Sequence, residues 1–289
     1  MKILLLYFTG TYNTLYLTTL IKNHLLVENN KVDVAIISDK LKVKTDGYDM
    51  IGIGYPIHAF NAPKIVEKVI KKLQIKNKKY FIYKNSGEPF KLNNASSFKI
   101  YKIMKKNNNT LLGEYHFVMP YNILFRTKED FVRYEMEYNL KYIKYMCNNL
   151  TNIKEYKVNL FERFITFIFK IQRLGCKVNS RLYKVDKEKC LRCRMCTFSC
   201  PTNNIEYNRE KRKIIFKDKC IMCMRCSLNC PGNAISIGLL ERFKVVGKYN
   251  LLEISKLDNT YDFSKEDKKF YKKFKPYFEY IDSVTIKKD

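Results

Sequence analysis

The sequence predicts an α/β chain: a doubly wound, five-stranded parallel sheet followed by a small α+β unit. Three observations carry this reading. Apolar runs of strand length alternate with helix-period segments through the first 150 residues. The first 146 residues contain no cysteine, whereas eight cysteines fall between positions 190 and 230. Those eight form two groups related by a displacement of thirty positions, which marks an internal duplication.

The elements follow in order. Lys2–Phe8 is a continuous apolar run suited to a central parallel strand. A turn leads into a helix over Thr14–Glu28. Val32–Ser38 and Met50–Gly54 read as the second and third strands. Ala62–Leu73 reads as a helix, with Pro63 near its first turn and apolar residues at 65, 66, 69, 70 and 73. Lys79–Tyr83 is the fourth strand, Ser96–Lys105 a helix and Leu112–Met119 the fifth strand, ended by Pro120. Lys128–Leu150 is a long final helix. In such a sheet, ligands bind beyond the carboxyl ends of the strands at the topological switch point. The expected organisation is a sheet domain over 1–150, a basic, aromatic linker helix over 151–182, the cysteine-rich unit over 183–240 and a basic extension over 241–289.

Cys190, Cys193, Cys196 and Cys200 precede Pro201; Cys220, Cys223, Cys226 and Cys230 precede Pro231. Each group reads C-x₂-C-x₂-C-x₃-C-P. Three thiolates at this spacing wrap one face of a cubane while the intervening amides turn toward the sulfurs. Structural zinc uses paired knuckles with two ligands per arm, not triplets with a remote fourth ligand. Clustering of this kind points to metal rather than to disulfides. The run resembles that of bacterial two-cluster ferredoxins, in which the fourth Cys ligates the other cluster. The resemblance implies two [4Fe–4S] clusters, cluster I on Cys190, Cys193, Cys196 and Cys230 and cluster II on Cys220, Cys223, Cys226 and Cys200. Arg192, Arg194 and Arg225 lie beside the ligands and suggest either a docking patch for an acidic redox protein or screened, solvent-facing charges.

The first strand ends in Thr9-Gly10-Thr11-Tyr12-Asn13-Thr14. Hydroxyls and amides converging at a helix start can grip a phosphate without a basic residue. This segment resembles a flavodoxin phosphate loop, with Tyr12 where a Gly is usual. Two further loops follow strands three and four: Tyr55-Pro56-Ile57-His58-Ala59-Phe60 and Asn85-Ser86-Gly87-Glu88. In flavodoxins these places supply the walls and polar edge contacts of the isoalloxazine ring. The resemblance therefore implies FMN, with Tyr55, His58 or Phe60 stacking on the ring and amides near Ser86 and Gly87 at its edge. The whole order, with the stretches YPIHAFNAP, NSGEP and EYHFVMPYN, resembles a family of clostridial-type flavodoxin–ferredoxin fusions over about residues 1–250. That family implies an electron carrier or reductase of an anaerobe.

Net charge is +27, from 55 Lys and Arg against 28 Asp and Glu. Such a balance reads either as Lys-rich composition on solvated helix faces or as fitting an acidic redox partner met through electrostatic steering, with nucleic acid or an anionic membrane surface as further alternatives. Met1–Phe8 is too short for a signal peptide, and Phe161–Ile171 is charged and too short to span a bilayer. The expected location is the cytoplasm, with no transmembrane segment. The linker reads as an amphipathic helix packed between domains, the alternative being an interfacial membrane helix. The Lys-, Phe- and Tyr-rich extension reads as helices packed through their aromatics, with nucleic-acid stacking as the alternative. Cys147 is expected as a buried small hydrophobe, His24 on a solvated helix face and His116 in the core; Cys176 has no assigned role. No catalytic set, P-loop or dinucleotide fingerprint occurs. The reading is an electron-transfer protein joining FMN, two clusters and an external partner. The alternatives are a flavin and iron–sulfur reductase of a small substrate, and a nucleic-acid-associated redox module.

Overall fold

The computed structural model describes residues 1–245, 247–266 and 268–286. Positions 246, 267 and 287–289 of the expected extension lie outside the described residues. The sheet strands are β1 (Lys2–Tyr7), β2 (Lys31–Ile36), β3 (Met50–Pro56), β4 (Lys79–Ser86) and β5 (Thr110–Val118). They pair in parallel in the order β2-β1-β3-β4-β5. That order, with its switch point between β1 and β3, is the flavodoxin-like doubly wound arrangement. The helices are α1 (Asn13–Val27), α2 (Lys64–Leu73), α3 (Phe98–Lys106) and α4 (Glu129–Asn148).

Alternation along β1 builds two cores. Ile3, Leu5 and Tyr7 face α1 and α4, whereas Leu4, Leu6 and Phe8 face α2 and α3. Both sets are buried, as a central parallel strand requires. The extension joins the first core. Its helices α9 (Leu251–Ile254), α10 (Lys269–Lys272) and α11 (Lys275–Thr285) pack on α4 through Phe274, Tyr277, Phe278 and Ile281. Tyr277 accepts from the Val118 amide through its hydroxyl at 3.2 Å, and Tyr249 accepts from the Thr127 amide at 2.6 Å. Lysine on the solvent side and aromatics on the inner side explain its composition.

The linker forms α5 (Leu160–Phe169) and α6 (Gln172–Ser180). Two helices stand where one was expected, and they turn their faces in the reverse sense. The buried residues of α5 are Glu162 and Thr166, and those of α6 are Asn179 and Ser180. The reason is polar: Asn159 caps α5 in a capping box with Glu162, the Thr166 carbonyl accepts from Asn61 Nδ2 at 3.0 Å, and Arg173 pairs with buried Glu67.

The cysteine-rich unit has two short helices, α7 (Met195–Ser199) and α8 (Arg225–Leu228), and two small antiparallel ladders. These pair β6 (Lys184–Val185) with β9 (Ile235–Ser236), and β7 (Ile205–Asn208) with β8 (Lys213–Phe216). Among the described residues no helix is long and apolar enough to cross a membrane.

His116 is bonded in the core, its Nε2 lying 2.8 Å from Ser86 Oγ. His24, expected in solvent, is half-buried, with its Nε2 enclosed and unpaired. Burial, reinforced by Lys84, pulls His116 down to about 3, from an ordinary value of 6.5. The folded state thus refuses a proton that the unfolded chain accepts. The stabilising effect is complete above pH 6.5 and is lost as pH falls toward 3. Relative to wild type, His116→Gln should flatten the dependence of unfolding free energy on pH by about 1.4 kcal/mol per unit between pH 6 and 4. Urea titrations across that range would read it; an unchanged slope would show that His116 takes its proton in the fold.

Candidate functional site

The two cysteine motifs share one backbone design. Arg192 (φ 53°) and Arg194 (φ 57°) in the first correspond to Met222 (φ 51°) and Met224 (φ 59°) in the second. Left-handed backbone costs a side-chain-bearing residue roughly 1–2 kcal/mol. Four such residues at matched positions persist only where their surroundings impose them. Here the turns curl the chain so that amides aim at sulfur. The Met222 amide donates to Cys220 Sγ at 3.3 Å, the Asn204 amide to Cys200 Sγ at 3.2 Å and the Ala234 amide to Cys230 Sγ at 3.3 Å. Amides pointing at sulfur stabilise thiolate, which suits a thiolate-ligated iron–sulfur cluster.

The thiols also group across the motifs. Burial pushes Cys196 up to about 11, and the neighbouring sulfurs that add to the shift are Cys230, Cys190 and Cys193. Burial likewise pushes Cys223 up to about 12, with Cys220 and Cys200 as its sulfur neighbours and the Arg225 guanidinium opposing. Each fourth cysteine therefore lies with the other motif's triplet. The thiol chemistry of this donor set suits iron–sulfur ligation. Tyr183, which the spacing gave no reason to single out, is buried with Cys220, Cys226 and Cys223 around its hydroxyl.

The second motif lies on the carboxyl edge of the sheet. A Cβ built on Gly10 would overlap the Cys223 carbonyl, so only glycine permits this approach. Arg225 donates from Nε at 3.1 Å and also from Nη2 to the Thr9 carbonyl, and from Nη1 to the Ser199 carbonyl at 3.0 Å. It thus ties the loop after β1 to both motifs. This corrects its assignment to an outward docking patch: of the three arginines, Arg192 and Arg194 are exposed and Arg225 is turned inward. The Asp39 amide donates to the Pro201 carbonyl at 2.9 Å. The first motif lies outward, with Cys193 exposed and Leu191 and Phe198 beside it in solvent.

The three loops read from the sequence meet at this edge. Tyr12 (φ 74°) is left-handed, the conformation natural to the glycine it replaces, and makes no side-chain cap. The first turn of α1 carries no acidic residue, so its amides present an uncapped N-terminus. Gly10, Thr9, Asn13 and Thr14 are buried and Thr11 is half-buried. Thr14 Oγ1 donates to Asn85 Oδ1 at 2.7 Å, Asn13 Nδ2 to the Pro120 carbonyl at 2.9 Å and the Ile57 amide to the Asn85 carbonyl at 2.7 Å. Lys248 Nζ lies 5.7 Å from the centre of the Tyr12 ring. An uncapped helix start fits a phosphate group.

The ring-wall residues divide. Tyr55 is fully buried in the core beneath α2 and α3, away from the loop surface. His58 lies edge-on to Phe8 at 6.3 Å, and burial pulls it down to about 4. Phe60 (φ 57°) packs on Phe169 of α5 at 4.8 Å, and Ala59 (φ 47°) turns the chain before it; Pro56 and Ile57 are half-buried. Ser86 Oγ bonds the Glu88 carbonyl at 2.7 Å, and a Cβ on Gly87 would overlap the Tyr121 ring. Tyr121 also donates to Glu88, which pairs with Lys273 of the extension at 2.8 Å. Tyr121, with Phe125 at 4.9 Å, supplies an aromatic surface here that loop spacing alone did not indicate. A separate cleft of about 920 Å³ opens between α2, α6 and the Cys220–Met222 loop, bordered by His58 and Cys176.

Residues 182–231 match the family described as a 4Fe-4S dicluster domain. With the strand order 2-1-3-4-5 already established, this match decides the architecture. The chain joins a parallel sheet of flavodoxin-like strand order to a unit matching the 4Fe-4S dicluster domain. Similar solved structures include a flavodoxin of Streptococcus pneumoniae TIGR4, at 12% identity and TM-score 0.40 over 52% of this chain and 98% of that one. Oxidised flavodoxin 1 of Bacillus cereus aligns at 15% identity and TM-score 0.38, over 51% and 98%. Rubredoxin oxygen:oxidoreductase from the anaerobe Desulfovibrio gigas aligns at 12% identity and TM-score 0.37, over 59% of this chain and 36% of that one. None of the curated proteins matches the chain. An iron–sulfur redox unit on a flavodoxin-like sheet supports a role in electron transfer.

Proposed function

We propose that this fusion is an intramolecular electron relay. Two [4Fe–4S] clusters, on Cys190, Cys193, Cys196 and Cys230 and on Cys220, Cys223, Cys226 and Cys200, connect an external redox protein with FMN at the sheet edge. The observation that carries the proposal is the contact of the Cys223 backbone with Gly10. A cluster held by the second motif would lie against the loop expected to take the flavin phosphate, while the first motif, with Cys193 exposed, faces outward. Thr9, Gly10, Thr11, Asn13 and Thr14 would hold the phosphate, Tyr12 and Tyr121 would flank the ring, and residues 85–88 would meet its polar edge. FMN exchanges one or two electrons and each cluster one, so bound together they pair or split electrons.

Arg225 keeps the two redox sites in register and places positive charge beside Cys223. Arg192 and Arg194 remain in solvent for an acidic partner. The reductase alternative is the weaker one, because the 920 Å³ cleft opens beside Cys220 and not over the loop at 9–14. Anaerobic purification with iron, sulfide and flavin measured together tests the proposal. About eight iron atoms and one FMN per chain are expected. Full iron without flavin would overturn the relay and leave a ferredoxin with a docking domain.

A further inference from the structure

The reversed faces of α5 and α6 leave an apolar surface that nothing among the described residues covers. Leu160, Phe161, Phe164, Phe167, Ile168, Ile171, Leu174, Val178 and Leu182 are all exposed, Phe167 at 68% and Ile171 at 72%. Lys170 and Ile171 between the helices keep helical angles, and 3₁₀ bonds from the Lys170 and Ile171 amides bridge the junction. Positions 160, 164, 167, 171, 174 and 178 therefore form one stripe, spaced by fours and threes. At 1.5 Å per residue the helical stretch is about 30 Å long. Its orientation is anchored by Asn94 Nδ2 donating to Glu162 Oε1 at 3.4 Å, Asn61 Nδ2 donating to the Thr166 carbonyl at 3.0 Å, Arg173 donating to Glu67, and Asn179 Nδ2 donating to the Ile237 carbonyl at 2.9 Å.

Charge selects the occupant. The sole acid between positions 160 and 182 is Glu162, and it is buried. Arg163, Lys177 and Arg181 are exposed along the same segment, and Lys170 is half-exposed. A second copy would bring the same cations against these in a chain of net charge +27. A long apolar stripe of Phe, Leu and Ile flanked by cations matches a helix lying in the plane of an anionic bilayer, its apolar side among the acyl chains. We infer that residues 160–182 seat the protein on an anionic membrane surface without crossing it. The inference rests on this face alone and is independent of flavin binding.

Co-sedimentation of the anaerobically prepared holoprotein with lipid vesicles tests it. Vesicles of mixed phosphatidylglycerol and phosphatidylcholine should bind at least about tenfold more tightly than phosphatidylcholine alone, with binding weakening as salt rises. Phe167→Asp with Ile171→Asp should lower that affinity at least tenfold, with iron content and melting temperature unchanged because both side chains are exposed. Lys177→Glu with Arg181→Glu should lower it by about tenfold or more. Wild type left in the supernatant with anionic vesicles would overturn the inference. So would an aspartate variant that sediments as well as wild type, which would put binding on general basic charge. A lipid-free dimer that the aspartates dissociate would overturn it in favour of a second copy.

Discussion

Replacing Cys193 and Cys230 together with serine should leave about four iron atoms per chain, whereas replacing Cys223 and Cys230 together should leave none. The two pairs separate crossed from uncrossed ligation. If each motif held its own cluster, the first pair would strip both clusters and the second pair only one. Crossing needs Cys230 near the first triplet and Cys200 near the second, and the fold brings Cys230 to Cys196 and Cys200 to Cys223. The loss should extend to structure. The ladder between β6 and β9 and the four left-handed residues around the ligands have little apolar burial to hold them, with Tyr183, Met224, Ile235 and Ile237 as the buried centre of the unit. Metal binding should therefore contribute much of the unit's folding free energy. Iron and sulfide analysis, with circular dichroism before and after chelation, would read both effects. Iron retained by the second pair and lost from the first would sink crossed ligation.

Glu114→Ala should destabilise the sheet domain by about 3–5 kcal/mol, more than the double variant Lys84→Met with Glu114→Leu. Lys84 is 1% exposed at the carboxyl end of β4, directly before the loop expected to meet the flavin. Its ammonium donates to the Asn93 carbonyl at 2.8 Å and the Asn94 carbonyl at 3.0 Å, and pairs with Glu114 of β5. Burial pulls Lys84 below its ordinary range, and the Glu114 carboxylate opposes that pull. Removing Glu114 alone strands a buried cation, whereas removing both charges leaves no buried charge unpaired and only neutral carbonyls and hydroxyls to be satisfied. Guanidinium unfolding followed by far-ultraviolet circular dichroism would give the two values. Equal losses in the single and double variants would mean that water reaches Lys84 and screens it.

Strand and helix positions in the first 150 residues were legible because each element carries its own period. The predicted Lys79–Tyr83 continues to Ser86, since Lys84 and Asn85 look like loop residues until Glu114 and Thr14 satisfy them. The predicted helix at Ser96 begins instead as a 3₁₀ stretch over Lys91–Ser97, where the Asn93 and Asn94 carbonyls are held by Lys84. The two cysteine runs, within the stretch that matches a 4Fe-4S dicluster domain, were legible residue by residue, because C-x₂-C spacing is a local property of the chain.

By itself the sequence determined the two cysteine runs, the order of sheet elements and the loop at residues 9–14, all set within a few residues by spacing and hydropathy. Tertiary structure alone decided that Arg225 turns inward to Thr9, that Tyr55 enters the core and that Tyr121 covers Gly87. It also decided that α5 and α6 turn their polar side to the protein. Each of these depends on which distant groups satisfy a donor, an acceptor or a vacant space, and local periodicity carries no record of partners tens to hundreds of residues away. Helix amphipathicity identified a buried face and an exposed one; only Asn61, Glu67 and Ile237 determined which was which.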